Sequence, residues 1–304
     1  MSQLTVENVL SQLEKAPGAA ALLEPDGVFL VEAGRVRRIS PAPATGLIPE
    51  SSGRLTSMAI LDEMDKNGGA CDVSYPWKSN YMVANTLRMV RGKITNEIRL
   101  FPSEPPAAEA IGLAKVLDSG LLEEGGIVVV YGERRSGRKT AAYSMMMEAL
   151  PGRFGVTLED PIIYNPKVPE HSVLARREVG LADGDVPSFL QGVRQAAEQK
   201  PHMLLVDRIP DGETIRALVE VASEGATVLA CCFGLSPEDT IRRLSVSEAE
   251  CMSRASSYGY TEALLASIKL MVGMGKRVEG SSNGMPQIIS GNGLKIVKES
   301  LRQE

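Results

Sequence analysis

Histidine is nearly missing from this chain: there are two in 304 residues. The four cysteines, Cys71, Cys231, Cys232 and Cys251, have no metal-ligand spacing. Together these shortages argue against a zinc site, and no metal centre built from protein ligands is expected. Cys231 and Cys232 read as neighbours in a buried strand, and reduced thiols in the cytoplasm are the default. No apolar run approaches the roughly 20 residues of a membrane span, so no transmembrane segment is expected. The stretch from Met1 to Glu7 lacks the basic and apolar regions of a secretory signal. Basic charge is not in excess. Lys plus Arg total 33 against 38 Asp plus Glu, giving a net charge of −5 and a pI near 5.4. That balance argues against general nucleic-acid binding. There is no internal repeat and no low-complexity tract.

What is present is 43% apolar residues, in a chain long enough for two domains and a sizeable core. Val6 to Leu13 reads as an amphipathic helix. Val28 to Ile39 reads as a hairpin turning at Ala33-Gly34. Residues 41–53, rich in Pro, Ala, Gly and Ser, read as a loop, and Leu55 to Met64 as a helix. Strands are expected over Cys71–Tyr75, Tyr81–Val90 and Ile94–Leu100. Residues 101–106, Phe-Pro-Ser-Glu-Pro-Pro, read as a linker and a domain boundary. Beyond it, strands (Ile127–Tyr131, Phe154–Leu158, Met203–Val206, Thr227–Cys232) alternate with helices (Ala107–Leu117, Thr140–Leu150, Val186–Gln199, Asp211–Ser223). That alternation implies a mainly parallel sheet covered on both faces. The fold class is therefore α/β: a small N-terminal domain over residues 1–100 and a larger one over 107–304.

The richest stretch runs from Val128 to Thr140. An apolar strand leads into Gly132, four residues follow, and then come Gly137, Arg138, Lys139 and Thr140. A P-loop has this frame: Gly, four residues, then Gly-Lys-Ser/Thr, between a strand and a helix. The two glycines keep their spacing. Arg138 stands where lysine reaches the phosphates, and Lys139 where a hydroxyl holds Mg²⁺. Arginine is not a conservative replacement for lysine. Lys139 puts a cation where Mg²⁺ belongs. A slip of one residue restores Lys139-Thr140 as the Lys-Thr pair at the cost of a larger loop. The plainest alternative is a glycine turn before a helix with its arginines in solvent. Against it, Arg134, Arg135, Arg138 and Lys139 crowd a helix N-terminus, where the macrodipole disfavours cations unless an anion sits there.

Three more landmarks follow in order: Glu159-Asp160-Pro161 at a strand end, Arg176-Arg177-Glu178-Val179-Gly180, and Val206-Asp207-Arg208. The ordered set resembles the hexameric ATPases of type II and type IV secretion systems, in particular the PilT-like pilus motors. Their order is P-loop, Asp box, Arg-Glu-Val segment, Walker B, His box. The resemblance extends to Val36–Ile39, Asp72–Tyr75, Asn85, Arg91-Gly92 and Arg99–Ser103, and to Leu264–Gly280 and the Ile288 region. It implies a PAS-like N-terminal domain and a RecA-like P-loop domain. Phosphates would lie on the backbone from Gly132 to Thr140, with Ser136, Gly137, Arg138 and Lys139 beside them.

The departures from that family bear on activity. Glu159 and Asp160 inherit the Asp-box role of organising metal and water. The Walker B glutamate is Arg208. Asp207, one place earlier, could hold Mg²⁺ as in other P-loop enzymes, but strand alternation turns it to the other face and marks it as drift. The His box reads Gly225-Ala226 and Cys231-Cys232-Phe233, without histidine. On the Val186 helix, Arg194 matches a basic pair whose other member is Glu198. The resemblance therefore implies a pseudo-ATPase in a type IV pilus, type IV secretion or conjugation machine, with an assembly or regulatory role. Any ATP or ADP would bind weakly and without sensitivity to Mg²⁺. If the chain is active, it works through the slipped register, with Glu159 and Asp207 as catalytic carboxylates. Arg91 and Arg99 match linker arginines of the family, so self-association or a mixed ring with an active relative is expected. The expected location is cytoplasmic, with a possible peripheral site at the inner membrane.

Overall fold

The structure, a computed structural model, describes residues 4–32, 35–48, 57–180, 184–249, 262–275 and 286–302. The chain forms two compact units. One comprises Met1–Glu104 with Pro161–Lys167, the other Pro105–Asp160 with Val168–Glu304.

The first unit begins with helix α1 (Val6–Glu14), which a reciprocal cap starts: Thr5 Oγ1 accepts the Asn8 N–H, and Asn8 Oδ1 accepts the Thr5 N–H. Val6, Val9, Leu10 and Leu13 recur at helical spacing and are all buried. Six antiparallel strands follow: β1 (Ala20–Glu24), β2 (Gly27–Glu32), β3 (Arg35–Ser40), β4 (Ala70–Trp77), β5 (Tyr81–Val90) and β6 (Lys93–Pro102). Their order is β3-β2-β1-β6-β5-β4, and helix α2 (Ser57–Lys66) buries Ile60 and Met64. The apolar residues of β1 were not read as a strand from sequence. Ala33-Gly34 and the first residues of the Leu55 helix lie outside the described residues.

Two corrections concern the boundary. β6 continues through Phe101 and Pro102, so the expected 101–106 linker starts two residues too early. Residues 161–167 also fold with the first unit: the Asn165 N–H donates to the Ser103 carbonyl at 2.7 Å, and the Lys167 N–H to Glu104 Oε1 at 2.9 Å. Arg91 is corrected too. It sits at φ +51° in the β5–β6 turn, at the far end of β6 from that linker. Arg99 lies in β6, an interior strand of the sheet, and its Nε donates to Glu97 Oε1 at 2.7 Å.

The second unit holds the expected βα alternation. Its strands are β7 (Gly126–Gly132), β8 (Phe154–Glu159), β9 (Val173–Glu178), β10 (Met203–Val206), β11 (Thr227–Phe233), β12 (Ile268–Met274) and β13 (Gln287–Ser290). They lie in the order β13-β12-β7-β11-β10-β8-β9, parallel except for β13. Every residue of β7 is buried, as a strand covered on both faces requires. The helices are α3 (Ala114–Asp118), α4 (Arg138–Ala149), α5 (Phe189–Glu198), α6 (Gly212–Ser223), α7 (Pro237–Ala249), α8 (262–267) and α9 (Gly291–Arg302). Ser188 and Asp211 cap α5 and α6 through the N–H groups of Gln191 and Thr214. The expected continuous helix from Ala107 to Leu117 is broken. Gly112, at φ +84°, ends a short 3-10 turn (Glu109–Ile111) before α3 starts.

β12 contains an irregularity at Lys269, where its register with β7 shifts between Ile268 and Leu270. The displaced side chain runs beside Gly126 and its Nζ donates to Thr227 Oγ1 at 3.3 Å. Burial pushes this ammonium down to about 8, against the opposing pull of Glu124. Its folded value lies below the ordinary 10.5, so the folded state carries a cost while the ammonium is charged. Stability should therefore rise as pH climbs from about 8 to 10.5. Lys269→Met is expected to raise Tm at pH 7, and its advantage should shrink across that window. Thermal melts of both proteins over pH 7 to about 10.5 check this, and an advantage constant with pH would refute it.

Candidate functional site

β7 delivers the chain to Gly132 at φ +153°. A Cβ there would lie 2.4 Å from the Met274 carbonyl oxygen and 2.6 Å from Ser136 Oγ, so only glycine fits. Arg135 is left-handed at φ +65°, and Gly137, at φ +91°, caps α4 without any side-chain hydrogen bond. α4 begins at Arg138, with four residues between the two glycines and no enlargement of the loop. Ser136 is 9% exposed, and its Oγ has no hydrogen-bond partner among the described residues. A glycine-framed turn into a helix N-terminus with an orphaned hydroxyl fits a phosphate group.

Beyond the loop lie two acids. β8 and β10 are adjacent and parallel, with Leu158 opposite Val206. Glu159 and Asp207 therefore stand at the same level, at the carboxyl ends of the strands, where α/β sheets hold ligands. Glu159 is fully buried; its Oε1 accepts from Thr157 Oγ1 at 2.8 Å and from the Tyr143 hydroxyl at 3.1 Å. Asp207 Oδ2 accepts the Asp160 N–H at 2.9 Å. Lys139, in the first turn of α4, sends its ammonium between them, 2.8 Å from Asp207 Oδ2 and 3.3 Å from Glu159 Oε2. Burial alone would lower the lysine's affinity for its proton. The two carboxylates overcome that and hold it above the ordinary lysine value. Burial, reinforced by Glu159, also raises the Tyr143 phenol, so it stays a hydrogen-bond donor.

Arg208, next after Asp207, turns the other way. It pairs with Asp160, and its guanidinium lies 5.2 Å from the Phe189 ring centre. Each acid of the Glu159-Asp160 pair thus faces a cation: Lys139 on Glu159 and Arg208 on Asp160. The reading of Asp207 as drift is corrected, because its carboxylate is built into the ion cluster. Cys231 and Cys232 are buried at the end of β11. Burial pushes the Cys232 thiol up to about 12, against the pull of Arg138, so it is not a nucleophile.

A divalent metal does not fit these residues. One oxygen of each acid, Glu159 Oε2 and Asp207 Oδ2, already holds the Lys139 ammonium, position 139 offers no hydroxyl, and the one carboxylate oxygen left over is the buried Asp207 Oδ1. Sequence reasoning brought Gly132, Ser136, Gly137, Arg138, Lys139, Thr140, Glu159, Asp207 and Arg208 to one end of this sheet. It missed Tyr143, Thr157 and Phe189. Tyr143 and Thr157 orient the Glu159 carboxylate, and Phe189 underlies Arg208. No local motif marks them; Thr157 carries a weak signal, two residues before Glu159 on the same strand face. Arg91 and Arg99 belong to the other unit.

A glycine-framed loop between a fully buried strand of a mainly parallel sheet and a helix, with acids at the ends of the adjacent strands β8 and β10, defines a RecA-like P-loop domain. The family described as "Type II/IV secretion system protein" matches residues 109–261, half of the chain, and the chain belongs to that family. It is 29% identical over 178 residues to "Uncharacterized protein YggR" of Escherichia coli (strain K12), covering 58% of this chain and 53% of that protein. The chain spans between 26% and 53% of the length of the first curated relatives it matches. The fold is shared with the Legionella pneumophila ATPase DotB, at a TM-score of 0.74 and 22% identity, over 100% of this chain and 89% of that one. It is also shared with the pilus retraction motor PilT with bound ADP, at 0.78 and 18%, over 99% and 88%. Among the described residues no helix is long and apolar enough to cross a membrane.

Removing one partner of a buried ion cluster leaves uncompensated charge, at a cost of about 3–5 kcal/mol. Lys139→Met should destabilise the protein by that order, because Glu159 and Asp207 then face each other without a cation. Adding Glu159→Gln should recover part of the loss. Chemical denaturation of the single and double variants checks this; a double variant less stable than Lys139→Met alone would refute the arrangement.

Proposed function

We propose that this chain is a secretion- and pilus-type ATPase-family subunit that has lost turnover and acts through its folded scaffold. Its setting is a type IV pilus, type IV secretion or conjugation machine, where it assembles with or regulates an active relative. The observation that carries this reading is the pairing of both Asp-box acids with cations, Lys139 and Arg208. Phosphoryl transfer needs a metal on the phosphates and a group that orients the attacking nucleophile. Here an ammonium fills the metal's place, and a guanidinium stands where the family has its Walker B glutamate. When bound, ATP or ADP would rest on the backbone from Gly132 to Thr140, beside Ser136 and Arg138. Binding should be weak, and a chelator should not diminish it.

Losing one charge contact of this kind costs about 10² or more in rate, so several losses together leave no practical turnover. ATP hydrolysis by the purified protein is expected at background. Restoring Arg138→Lys, Lys139→Ser and Arg208→Glu together should raise it. A robust Mg²⁺-dependent rate in the natural protein, abolished by Lys139→Ala, would sink this reading and establish an active motor using Lys139 and Thr140 in a slipped register.

The family resemblance supports reading the first unit as PAS-like and the whole as a ring former, peripheral to the inner membrane in the cytoplasm. Arg99, beside the linker, is the proposed interface arginine. Light scattering should give a mass above that of a monomer, alone or mixed with an active homologous ATPase. A monomer in both conditions, unchanged by Arg99→Glu, would remove the assembly role.

A further inference from the structure

We propose that the Lys139 ammonium is a tethered replacement for the divalent cation, so that the loop takes a polyphosphate in its metal-free form and Mg²⁺ works against binding. This rests on the reading that the loop holds phosphate, and it goes further than metal-independence by reversing the sign of the metal's effect.

Three observations carry it. The first is occupancy by chemistry. A cation of the required sign already bridges the two buried carboxylates, 2.8 Å from Asp207 and 3.3 Å from Glu159, on a stem anchored in α4. A metal–polyphosphate complex would bring a second, doubly charged cation to the same carboxylates. Either the ammonium leaves its acids, or two cations share one cluster in a site that water screens poorly. The second is the loop itself. Ser136 Oγ, on a residue 9% exposed, has no partner, and the space at Gly132 is closed to any side chain. These features suit a bare phosphate oxygen, which needs donors and no metal. The third is charge count. Two carboxylates and one ammonium leave the cluster with one negative charge in excess, whereas a divalent ion would balance it. The phosphate therefore gains less attraction here than in a metal-loaded loop, which accounts for weak binding. What attraction there is comes from N–H groups, Ser136 and the cations of the loop, and all of these act on phosphate without a metal.

The two cation effects are separable. Replacing Lys139 by serine removes the tethered charge, restores a hydroxyl at that position, and leaves Glu159 and Asp207 free to ligate. The variant should therefore acquire the divalent-ion site that the natural chain has closed.

The test is calorimetric titration of the full chain with pyrophosphate and with ADP, once in EDTA and once in excess Mg²⁺. A parallel arm follows Mn²⁺ binding by electron paramagnetic resonance without any phosphate. The natural protein is expected to bind both probes about tenfold more tightly in EDTA, a difference of about 1.4 kcal/mol, and to bind no Mn²⁺ at the cluster. Lys139→Ser should bind Mn²⁺, and Mg²⁺ should now tighten its hold on both probes. Equal affinity in the two conditions, or tighter binding with Mg²⁺, overturns the proposal for the natural protein while leaving nucleotide binding intact. No binding of either probe in either condition overturns both this proposal and the nucleotide reading. Mn²⁺ bound by the natural protein at the cluster overturns the replacement of metal by lysine. Where Lys139→Ser does not fold, the natural protein's EDTA and Mg²⁺ arms decide the matter alone.

Discussion

Two carboxylates, Glu159 and Asp207, stand side by side at the ends of neighbouring parallel strands, inside the protein and away from solvent. Parallel pairing of β8 with β10 fixes their separation, so the sheet itself creates a concentration of negative charge that must be compensated. In a chain of this family a hydroxyl at position 139 would leave that task to a metal. Here the first turn of α4 supplies a lysine, whose stem is long enough to place an ammonium between the acids. The rest of the site follows. Tyr143 and Thr157 satisfy the other oxygen of Glu159, the Asp160 N–H holds Asp207, and α4 is tied both to β8, which follows it in sequence, and to the exit of β10, which does not.

The same logic extends to Arg208. A cation where the family has a glutamate would be costly if it faced a metal. It turns away from the Lys139 cluster instead, pairs with Asp160, and lies over Phe189. The two substituted positions are thus coupled through adjacent residues of one acidic pair. Each cation quiets one acid, and the cluster tolerates both because they lie on opposite faces of the β10 exit. Reverting either position alone would leave a mismatched charge.

None of this disturbs the fold. The core of the second unit is built from β7, β8, β10 and β11, whose inward residues are almost all aliphatic and buried. Its packing does not depend on which charges sit at the strand ends. The fold therefore holds whichever charges stand beside its loop. Membership in the type II/IV secretion system protein family is a statement about that fold and its motif order, and catalysis is a separate matter decided by a handful of side chains at one end of the sheet.

Much of this was legible in the sequence. Period and punctuation mark β7, β8, β10 and β11 within one residue at each end, and the β5 and β10 bounds as they stand, but β9, β12 and β13 carry no such signal. Glycine spacing marked the loop, and the odd residues at 138, 139 and 208 marked a departure from the P-loop pattern. Other features escaped for physical reasons. The 3-10 break at Gly112 depends on a left-handed φ that no local pattern announces. Asp207 looked like drift because strand alternation places it opposite Arg208, yet that opposition is what carries it to Lys139. The partners Tyr143, Thr157 and Phe189 are ordinary core residues in sequence. The sequence by itself determined the βα order, the loop and the identities of the charges. Tertiary structure alone decided which charge meets which, because strand register and helix placement set distances of a few ångströms between residues 20 to 68 positions apart.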